Sequence, residues 1–218
     1  MNYKRIYEYR FKDVDKERKL LVWKEIAEFL YTKHLNAPEK IIDPAGGLCE
    51  FINAVPSSEK WTVDLDEGVK LHADKNVKTI IGNNLNVELP DNYFDGIFIS
   101  NFLEHLANQS EVAAFLQRMY NILKKGGRIV IMGPNFRHTY KDYFNFADHT
   151  VILTELGVAE HLYGAGFEIV KVYPKFLPLS FRGNRLLPLN SFIAKMYFKF
   201  PVFWKILGQQ FLIIAEKS

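Results

Sequence analysis

Residues 40–66, KIIDPAGGLCEFINAVPSSEKWTVDLD, decide the fold of this chain. A short apolar strand ends at Asp43, a turn of small residues follows at 45–47, and a second strand ends at Asp64. In an open α/β sheet, such a turn lets the backbone approach a nucleotide, and an acid about 20 residues further on receives the ribose hydroxyls. The stretch therefore predicts a nucleotide crevice at the carboxyl edge of a sheet.

The composition is that of an ordinary soluble protein with a substantial core. The chain has 218 residues, of which 48% are hydrophobic and 24% charged, and its formal net charge is +3. This balance gives no case for nucleic acid as a partner. The single cysteine, Cys49, excludes an internal disulfide and a multi-cysteine zinc site, and we expect no metal. No apolar run approaches a membrane span, and the charged N-terminus lacks a signal core, so we expect a cytoplasmic protein.

Strand and helix patterns alternate along the rest of the chain. Strands are predicted near 40–43, 60–63, 77–81, 93–99, 127–132, 167–173 and 209–216. Helices are predicted at 15–35, 48–55, 66–74, 108–123 and 154–165. This alternation indicates an α/β fold, with a mostly parallel sheet of seven strands and helices on both faces. The last strand has no helix of the usual length just before it, so we expect it to run antiparallel.

The helix predicted at 108–123 has the clearest pattern. Asn108 and Glu111 have the spacing of a capping box, and the lysines and glycines at 124–127 are typical of a helix end. Its apolar stripe consists of Val112, Phe115, Leu116, Met119 and Leu123. In the helix at 15–35, the residues predicted to share one face are Leu20, Trp23, Ala27 and Leu30.

Four segments, in this order, resemble class I S-adenosylmethionine-dependent methyltransferases. They are IIDPAGGLCEF (41–51), TVDLD (62–66), DNYFDGIFISNFLEHL (91–106) and LKKGGRIVIMGPN (123–135). The resemblance covers roughly residues 38–173 and the closing strand. It implies a Rossmann-like sheet, S-adenosyl-L-methionine as the cofactor, and transfer of its methyl group to an acceptor. It also divides the chain into an N-terminal helical arm (1–37) and a methyltransferase domain (38–218).

A narrower resemblance concerns the acceptor. The segments PNFRH (134–138), ADHTVILTE (147–155), GFEIV (166–170) and KFLPLS (175–180) are similar to a bacterial subgroup associated with cell-surface polysaccharide synthesis. This resemblance implies a sugar or glycan hydroxyl as the acceptor. Lipid-linked glycans and small metabolites stay open as alternatives, and the sequence leaves the oligomeric state open.

The chain departs from the family pattern at two places. Ala45 and Cys49 stand where the family's first motif usually has glycines, and GNNLN (82–86) stands where an Asp often faces the adenine. Both replacements for glycine are small, and Gly46 and Gly47 remain. An Asn carbonyl still accepts a hydrogen bond from the adenine amino group, so we expect cofactor binding to be retained.

The resemblance assigns a set of cofactor-binding residues. They are Asp43, Ala45, Gly46, Gly47, Asp64, Leu65, Asn83, Asn84 and Asn101. Asp64 is expected to bind the two ribose hydroxyls, whereas the neighbouring Asp66 is expected to cap the next helix. Asn83 or Asn84 is expected to meet the adenine, which Leu65 and Leu85 could sandwich. A polar turn or ordinary core packing would explain the same residues.

The acceptor side is expected after the fourth and fifth strands. His149, His138 and His105 are the candidate general bases, with His149 the first choice, because histidine is the usual base at neutral pH. The candidate substrate-binding residues are Asn135, Arg137, Asp148, Arg182 and Arg185, the arginines being suited to a phosphate or pyrophosphate on the acceptor. A satisfied network of loop side chains is the alternative for all of them. Arg10 is either a further ligand of an acidic group or part of a solvated arm.

The segment 174–207 combines basic and aromatic residues in an insertion before the last strand. It is interpreted as a lid or substrate-binding insertion over the core. There are two alternatives. Residues 176–207 could contact the surface of a membrane that carries the acceptor, or they could form an oligomer interface.

Two other function classes stay open. A nicotinamide-dependent oxidoreductase uses a similar strand and turn, but AGGLCE (45–50) does not supply the G-x-G-x-x-G pattern. A non-catalytic S-adenosylmethionine-binding or scaffold protein would explain the altered glycines. Binding of S-adenosylmethionine, of NAD or of neither discriminates between these classes.

Overall fold

The computed structural model describes residues 3–179 and 190–218, and over these residues it forms one seven-stranded sheet. The strands are β1 (Lys40–Asp43), β2 (Glu59–Asp64), β3 (Val77–Ile81), β4 (Phe94–Ser100), β5 (Leu123–Pro134), β6 (Glu168–Tyr173) and β7 (Gln210–Glu216). Their order across the sheet is β3-β2-β1-β4-β5-β7-β6. The first five strands run parallel, and β7 is antiparallel to both β5 and β6. The predicted α/β sheet and its antiparallel last strand are confirmed.

The strand ends converge on one edge of this sheet. Asp43 at the end of β1 is in register with Thr62, and Asp64 at the end of β2 is in register with Ile81. Ser100 at the end of β4 lies beside Met132 of β5. Because β1 lies between β2 and β4, the chain leaves the sheet in opposite directions here, which is the switch point where open α/β sheets bind ligands.

Helices cover both faces of the sheet. They are α1 (Tyr3–Phe11), α2 (Lys16–Lys33), α3 (Glu50–Ala54), α4 (Val69–His72), α5 (Gln109–Ile122), α6 (Phe136–Thr139), α7 (Glu155–Gly164), α8 (Ser191–Lys199) and α9 (Val202–Leu207). The buried residues of α5 and α7 share one hydrophobic cluster with one face of the sheet. Those of α2, α3, α8 and α9 share a second cluster with the other face. The sequence patterns did not predict α6, α8 or α9 as helices, and they placed α1 only within the expected helical arm of residues 1–37.

The helix α5 confirms four residues of its predicted stripe, Val112, Phe115, Leu116 and Met119, which are all buried. The fifth, Leu123, is also buried but is the first residue of β5, because the helix ends at Ile122. Its N-terminus has a capping box in which the Glu111 carboxylate bonds the residue before the N-cap, Ala107, and not Asn108 itself. The Asn108 side chain accepts a hydrogen bond from the Glu111 backbone N–H at 3.0 Å, and the Glu111 carboxylate accepts one from the Ala107 N–H at 2.9 Å. Two N–H groups that the helix itself cannot satisfy are therefore bonded by side chains.

The helix α2 corrects one prediction. Trp23, Ala27 and Leu30 are buried as expected, but Leu20 is 47% exposed. The neighbouring Lys19 is buried instead, because its ammonium pairs with the Glu50 carboxylate of α3 at 2.8 Å. An apolar pattern could not reveal this ion pair, since it joins residues from two separate helices. Among the described residues, no helix combines the length and the apolar character needed to cross a membrane.

We predict that Asn108→Ala lowers the free energy of unfolding by about 1 kcal/mol, because the Glu111 N–H loses its side-chain acceptor. Denaturant unfolding of the purified protein measures this difference. The matched control is Asn108→Ser, which keeps a capping oxygen and should stay within a few tenths of a kcal/mol of the original chain. Equal stability of the alanine variant and the original chain would contradict the assigned cap.

Candidate active site

The turn after β1 rests directly on β2. The Gly46 N–H donates to the Val63 carbonyl at 3.2 Å, and a Cβ placed on Gly46 would lie 2.0 Å from the Thr62 Oγ1 atom. A side chain at position 46 would therefore displace either the turn or the strand. Gly47 follows with φ +51°, a left-handed conformation that glycine adopts without strain. This backbone forms a cradle that side chains would fill.

Asp64 joins the two strand ends at this cradle. Its Oδ2 accepts a hydrogen bond from the Gly47 N–H at 2.9 Å, and its Oδ1 accepts one from the Asp66 N–H at 2.9 Å. Asp66 in turn accepts a hydrogen bond from the Gly68 N–H at 2.8 Å, beside the first turn of α4. Leu65 is 66% exposed between them. Asp64 therefore faces the cradle, whereas Asp66 stabilises the turn into the helix.

Asp43 is a buried carboxyl below the same turn. It accepts a hydrogen bond from the Ala45 N–H at 3.1 Å, and its backbone carbonyl accepts one from the Thr62 hydroxyl at 3.0 Å. Burial raises the pKa of Asp43 to about 7, although the bond from Ala45 acts in the opposite direction. A nearby cation would favour the ionised form of this carboxyl.

Asn83 and Asn84, which follow β3, have different surroundings. The Asn83 side chain accepts a hydrogen bond from the Leu85 N–H at 2.8 Å, which is a local turn. Asn84 is buried, and its Oδ1 has no hydrogen-bond partner among the described residues. Its backbone carbonyl accepts a hydrogen bond from Arg118 of α5 at 3.2 Å. Because an unpaired buried carbonyl is costly, Asn84 Oδ1 is the better placed acceptor for a ligand.

The segment after β4 is hydrogen-bonded to β5 and to the loop at 148–151. Asn101 has φ +48°, and its N–H donates to the Met132 carbonyl of β5 at 2.9 Å. Three residues later, Glu104 is only 1% exposed, and its backbone carbonyl accepts hydrogen bonds from the N–H groups of Thr150 and Val151. These bonds bring the loop that contains Asp148 and His149 against the end of β4.

His105 has a defined orientation. Its Nδ1 lies 2.8 Å from the Asp148 backbone carbonyl, which can only accept, so in the neutral ring Nδ1 carries the proton. Nε2 then holds the lone pair and lies 4.0 Å from the Glu104 carboxylate. Asp148 is buried and paired with Arg10 of α1. Burial acts to raise the pKa of Asp148, but the hydrogen bond from Arg10 and the charges around it hold that pKa below its ordinary value.

His149 lies next to His105 in aromatic surroundings. Its ring stacks on Phe146 with centroids 4.7 Å apart, and Tyr143 contacts it edge-on. Burial, and secondarily the charge of His105, lowers the pKa of His149 to about 4. The side chains of Glu104, His105 and His149 bring one nitrogen or oxygen atom each within 4.8 Å of one another. The cluster can accept a proton, and His105 presents its Nε2 lone pair because its Nδ1 faces the Asp148 carbonyl.

The residues after β5 contact Glu155 of α7, which the sequence patterns did not indicate as part of the site. Asn135 is buried, and its amide donates to the Glu155 carboxylate at 2.6 Å and to the Pro174 carbonyl at 2.9 Å. Arg137 forms an ion pair with the same carboxylate. Burial and then the charge of Lys175 lower the pKa of His138. The only sequence signal for Glu155 was its place behind the Thr154 cap, which indicates a helix start.

Of the remaining predicted site residues, the structure describes Arg10 but not the two arginines at 182 and 185. Arg182 and Arg185 lie outside the described residues. Arg10, which the sequence left open, is buried, and its guanidinium lies 5.1 Å from the Phe146 ring centre. A cavity of about 490 Å³ lies between α1 and the loop before Asp148. Its lining consists of Arg5, Ile6, Tyr9, Arg10, Asn145, Phe146 and Ala147.

Comparison with known proteins agrees with this geometry. Residues 45–131 match the family model described as a methyltransferase domain. Over 165 residues, the chain is 28% identical to a demethylmenaquinone methyltransferase of Geobacillus sp. (strain WCH70), covering 66% of this chain and 68% of that protein. It is 31% identical over 119 residues to a demethylmenaquinone methyltransferase of Corynebacterium efficiens, covering half of each. The matches thus span half to two thirds of these relatives.

Solved structures share the fold over most or nearly all of the chain. A SAM-dependent methyltransferase from Archaeoglobus fulgidus superposes with a TM-score of 0.68 at 20% identity, covering 99% of this chain and 100% of that one. The geranyl diphosphate C-methyltransferase of Streptomyces coelicolor A3(2), solved with S-adenosyl-L-homocysteine, reaches 0.63 at 15% identity over 88% of this chain and 78% of that one.

The methyltransferase-domain match, the methyltransferase relatives and the shared fold together support an S-adenosylmethionine-dependent methyltransferase. Its cofactor is S-adenosyl-L-methionine, and the crevice fits that molecule on two observations. The cradle at Gly46 leaves room for the cofactor to approach the backbone closely. The side-chain oxygen of Asn84, Oδ1, is a buried acceptor without a partner among the described residues.

We predict that Asp43 makes the free protein less stable as the pH rises. Because its folded pKa of about 7 lies above its unfolded value, its contribution is full below pH ~4 and is lost as the pH rises through about 7. The loss is up to about 1.4 kcal/mol per pH unit in that window. Asp43→Asn should remove this slope in denaturant unfolding measured from pH 4.5 to 7.5, whereas Asp66→Asn should keep it. Parallel slopes for all three proteins would disprove the assignment.

Proposed function

We propose that this enzyme methylates a hydroxylated ring, of the kind found in a reduced quinone, that is carried by a membrane lipid. The observation that carries the proposal is the aromatic loop beside His105. Phe146 stacks on His149, and Tyr140 and Phe144 are largely exposed on the same stretch. Planar aromatic side chains pack well against a planar ring. The demethylmenaquinone methyltransferases among the relatives agree in substrate class.

The cofactor side of the proposal assigns one role to each polar group. The Asp64 carboxylate binds the ribose hydroxyls, and the Asn84 carbonyl accepts a hydrogen bond from the adenine, which rests on Leu65. Asp43 balances the positive amino group below the turn formed by Ala45, Gly46 and Gly47. Asn83 and Asn101 shape the backbone of the crevice. When bound, S-adenosylmethionine supplies a methyl group on a positively charged sulfur.

The acceptor side prepares the nucleophile. The enzyme positions the acceptor and excludes water, because the sulfonium leaving group is already activated. His105 Nε2 receives the hydroxyl proton, since the Asp148 carbonyl fixes the proton of this ring on Nδ1. The electron pair released into the acceptor ring makes the neighbouring ring carbon the nucleophile, and the hydrogen of that carbon leaves as a proton once the methyl group is bonded. His149, with its pKa near 4, serves as an aromatic wall and a weak base. His138 and Arg137 contact the distal part of the acceptor, and Asn135 positions their loop through its bonds to Glu155 and Pro174. Arg182 and Arg185 are proposed from the sequence alone as ligands of a phosphate on the acceptor.

A glycan hydroxyl is the second candidate acceptor. The motif resemblance at 134–138 and 147–155 favours it, and the basic residues of 174–207 suit a pyrophosphate-linked sugar. The same base and crevice would serve this reaction, because an alcohol also has to lose its proton. Both candidates are carried by lipids, so peripheral membrane contact is part of the proposal.

We predict that the protein binds S-adenosylmethionine and S-adenosylhomocysteine in calorimetric titrations and that Asp64→Ala weakens binding roughly tenfold to a hundredfold. The reason is the loss of charge-assisted hydrogen bonds to the ribose. The matched control is Asp66→Ala, which removes the adjacent carboxylate and should bind within a factor of about three. Binding of NAD instead, or of no nucleotide by folded protein, would overturn the proposed cofactor site.

We predict transfer of a radiolabelled methyl group from S-adenosylmethionine to reduced demethylmenaquinone, measured in the organic extract. His105→Gln should lower kcat by roughly a hundredfold to ten-thousandfold with cofactor binding unchanged, because the general base is lost. His161→Gln, at a surface histidine bonded to Gln109, is the control. Labelling of a lipid-linked oligosaccharide, with the quinone unlabelled, would decide for the glycan instead.

A further inference from the structure

The helices α8 and α9 carry an exposed apolar surface that the reaction itself does not use. Its members, named here the α8–α9 surface, are Phe192, Met196, Phe200, Val202, Phe203 and Ile206, of which Phe192 and Ile206 are each 69% exposed. Phe192 and Met196 are four residues apart and therefore share one face of α8, and Phe200 caps the end of this helix. Phe200 contacts Phe203 with ring centres 6.4 Å apart, so the faces of the two helices join.

The opposite side of these helices is fixed to the core. Tyr197 and Trp204 are buried, and the Trp204 indole donates to the Tyr197 carbonyl at 2.8 Å. Phe29 of α2 stacks on Phe198 at 4.8 Å and meets Trp204 edge-on. The Ser191 hydroxyl donates to Glu25 of α2 at 2.6 Å. Because the inner face of α8 and α9 is packed against α2, the aromatic side chains on the outer face stay exposed to solvent.

The charged residues on the segment that carries the surface are all basic. Lys195, Lys199 and Lys205 are exposed among the aromatic residues, and the sequence has no Asp or Glu between Glu168 and Glu216. Lys195 approaches Glu25 at 3.6 Å, but that carboxylate is mostly buried on α2, and the lysine side chain is 62% exposed. Lysines flanking an apolar helix face are typical of segments that lie in the interface of an anionic membrane.

We infer that the α8–α9 surface docks the enzyme on an anionic lipid bilayer, with the six apolar side chains inserted and the three lysines at the phosphates. A second copy fits less well, because pairing this face with itself would place lysines against lysines with no acid on the segment to balance them. The inference rests on the proposed function only in its choice of a lipid-borne acceptor.

Vesicle co-sedimentation tests this docking without any acceptor or cofactor. The protein should bind phosphatidylcholine vesicles that contain phosphatidylglycerol, bind pure phosphatidylcholine weakly, and lose binding as salt is raised. The double variant Phe192→Ser/Ile206→Ser should bind at least about tenfold more weakly, because large apolar side chains no longer insert. Lys199→Gln should weaken binding roughly fivefold at low salt.

The control is Leu71→Ser, which removes an 87% exposed leucine on α4 and should leave vesicle binding unchanged. Absence of binding to the anionic vesicles, or equal binding by the double variant, overturns the inference. A concentration-dependent dimer in sedimentation equilibrium that the double variant abolishes would also overturn it in favour of self-association. Calorimetric binding of S-adenosylmethionine by the same variants shows separately whether the proposed function holds.

Discussion

The rest of the site depends on the contact between the Gly46 backbone and the Thr62 side chain. Because a Cβ at position 46 would lie 2.0 Å from the Thr62 Oγ1, the turn after β1 can lie flat on β2 only if that residue is glycine. The close approach brings the Gly47 N–H to the Asp64 carboxylate and closes the turn over Asp43. Two strand ends thereby become one crevice with two carboxylates at fixed positions.

This constraint explains why the departures from the family's glycines are tolerated. Ala45 is only half-buried, and Cys49 places its sulfur 3.7 Å from the added Cβ of position 46, which is ordinary contact. Cys49 adopts φ +59°, a conformation with a modest cost for a residue other than glycine. Burial raises the pKa of its thiol to about 12, so the group packs and does not react. The indispensable glycine is the one that the chain retains.

Local sequence patterns predicted the strands of the sheet. The arrangement of side chains in the loops after β4 and β5 depends on long-range contacts instead. The strand positions followed from apolar runs and turns, although β5 begins four residues earlier than expected, at Leu123, where it pairs with Phe94. The places of Asp43 and Asp64 at the crevice were predictable because each directly ends a strand. Arg10 with Asp148, and Arg137 with Glu155, pair residues 138 and 18 positions apart. Such pairs leave no periodic signal, so their arrangement came only from the folded chain.

The acceptor side and the α8–α9 surface meet through one short connection. The helix α9 ends at Leu207, and Gln210 begins β7 beside Pro134, at the edge where the crevice opens. The Gln209 carbonyl accepts the Asn135 N–H at 3.0 Å, and the Gln209 N–H donates to the Leu177 carbonyl at 2.7 Å. The basic–aromatic helices are thus anchored to the strand end that leads to the acceptor loop. If α8 and α9 dock on a bilayer as inferred, this connection ties the docking surface to the start of the loop that follows β5.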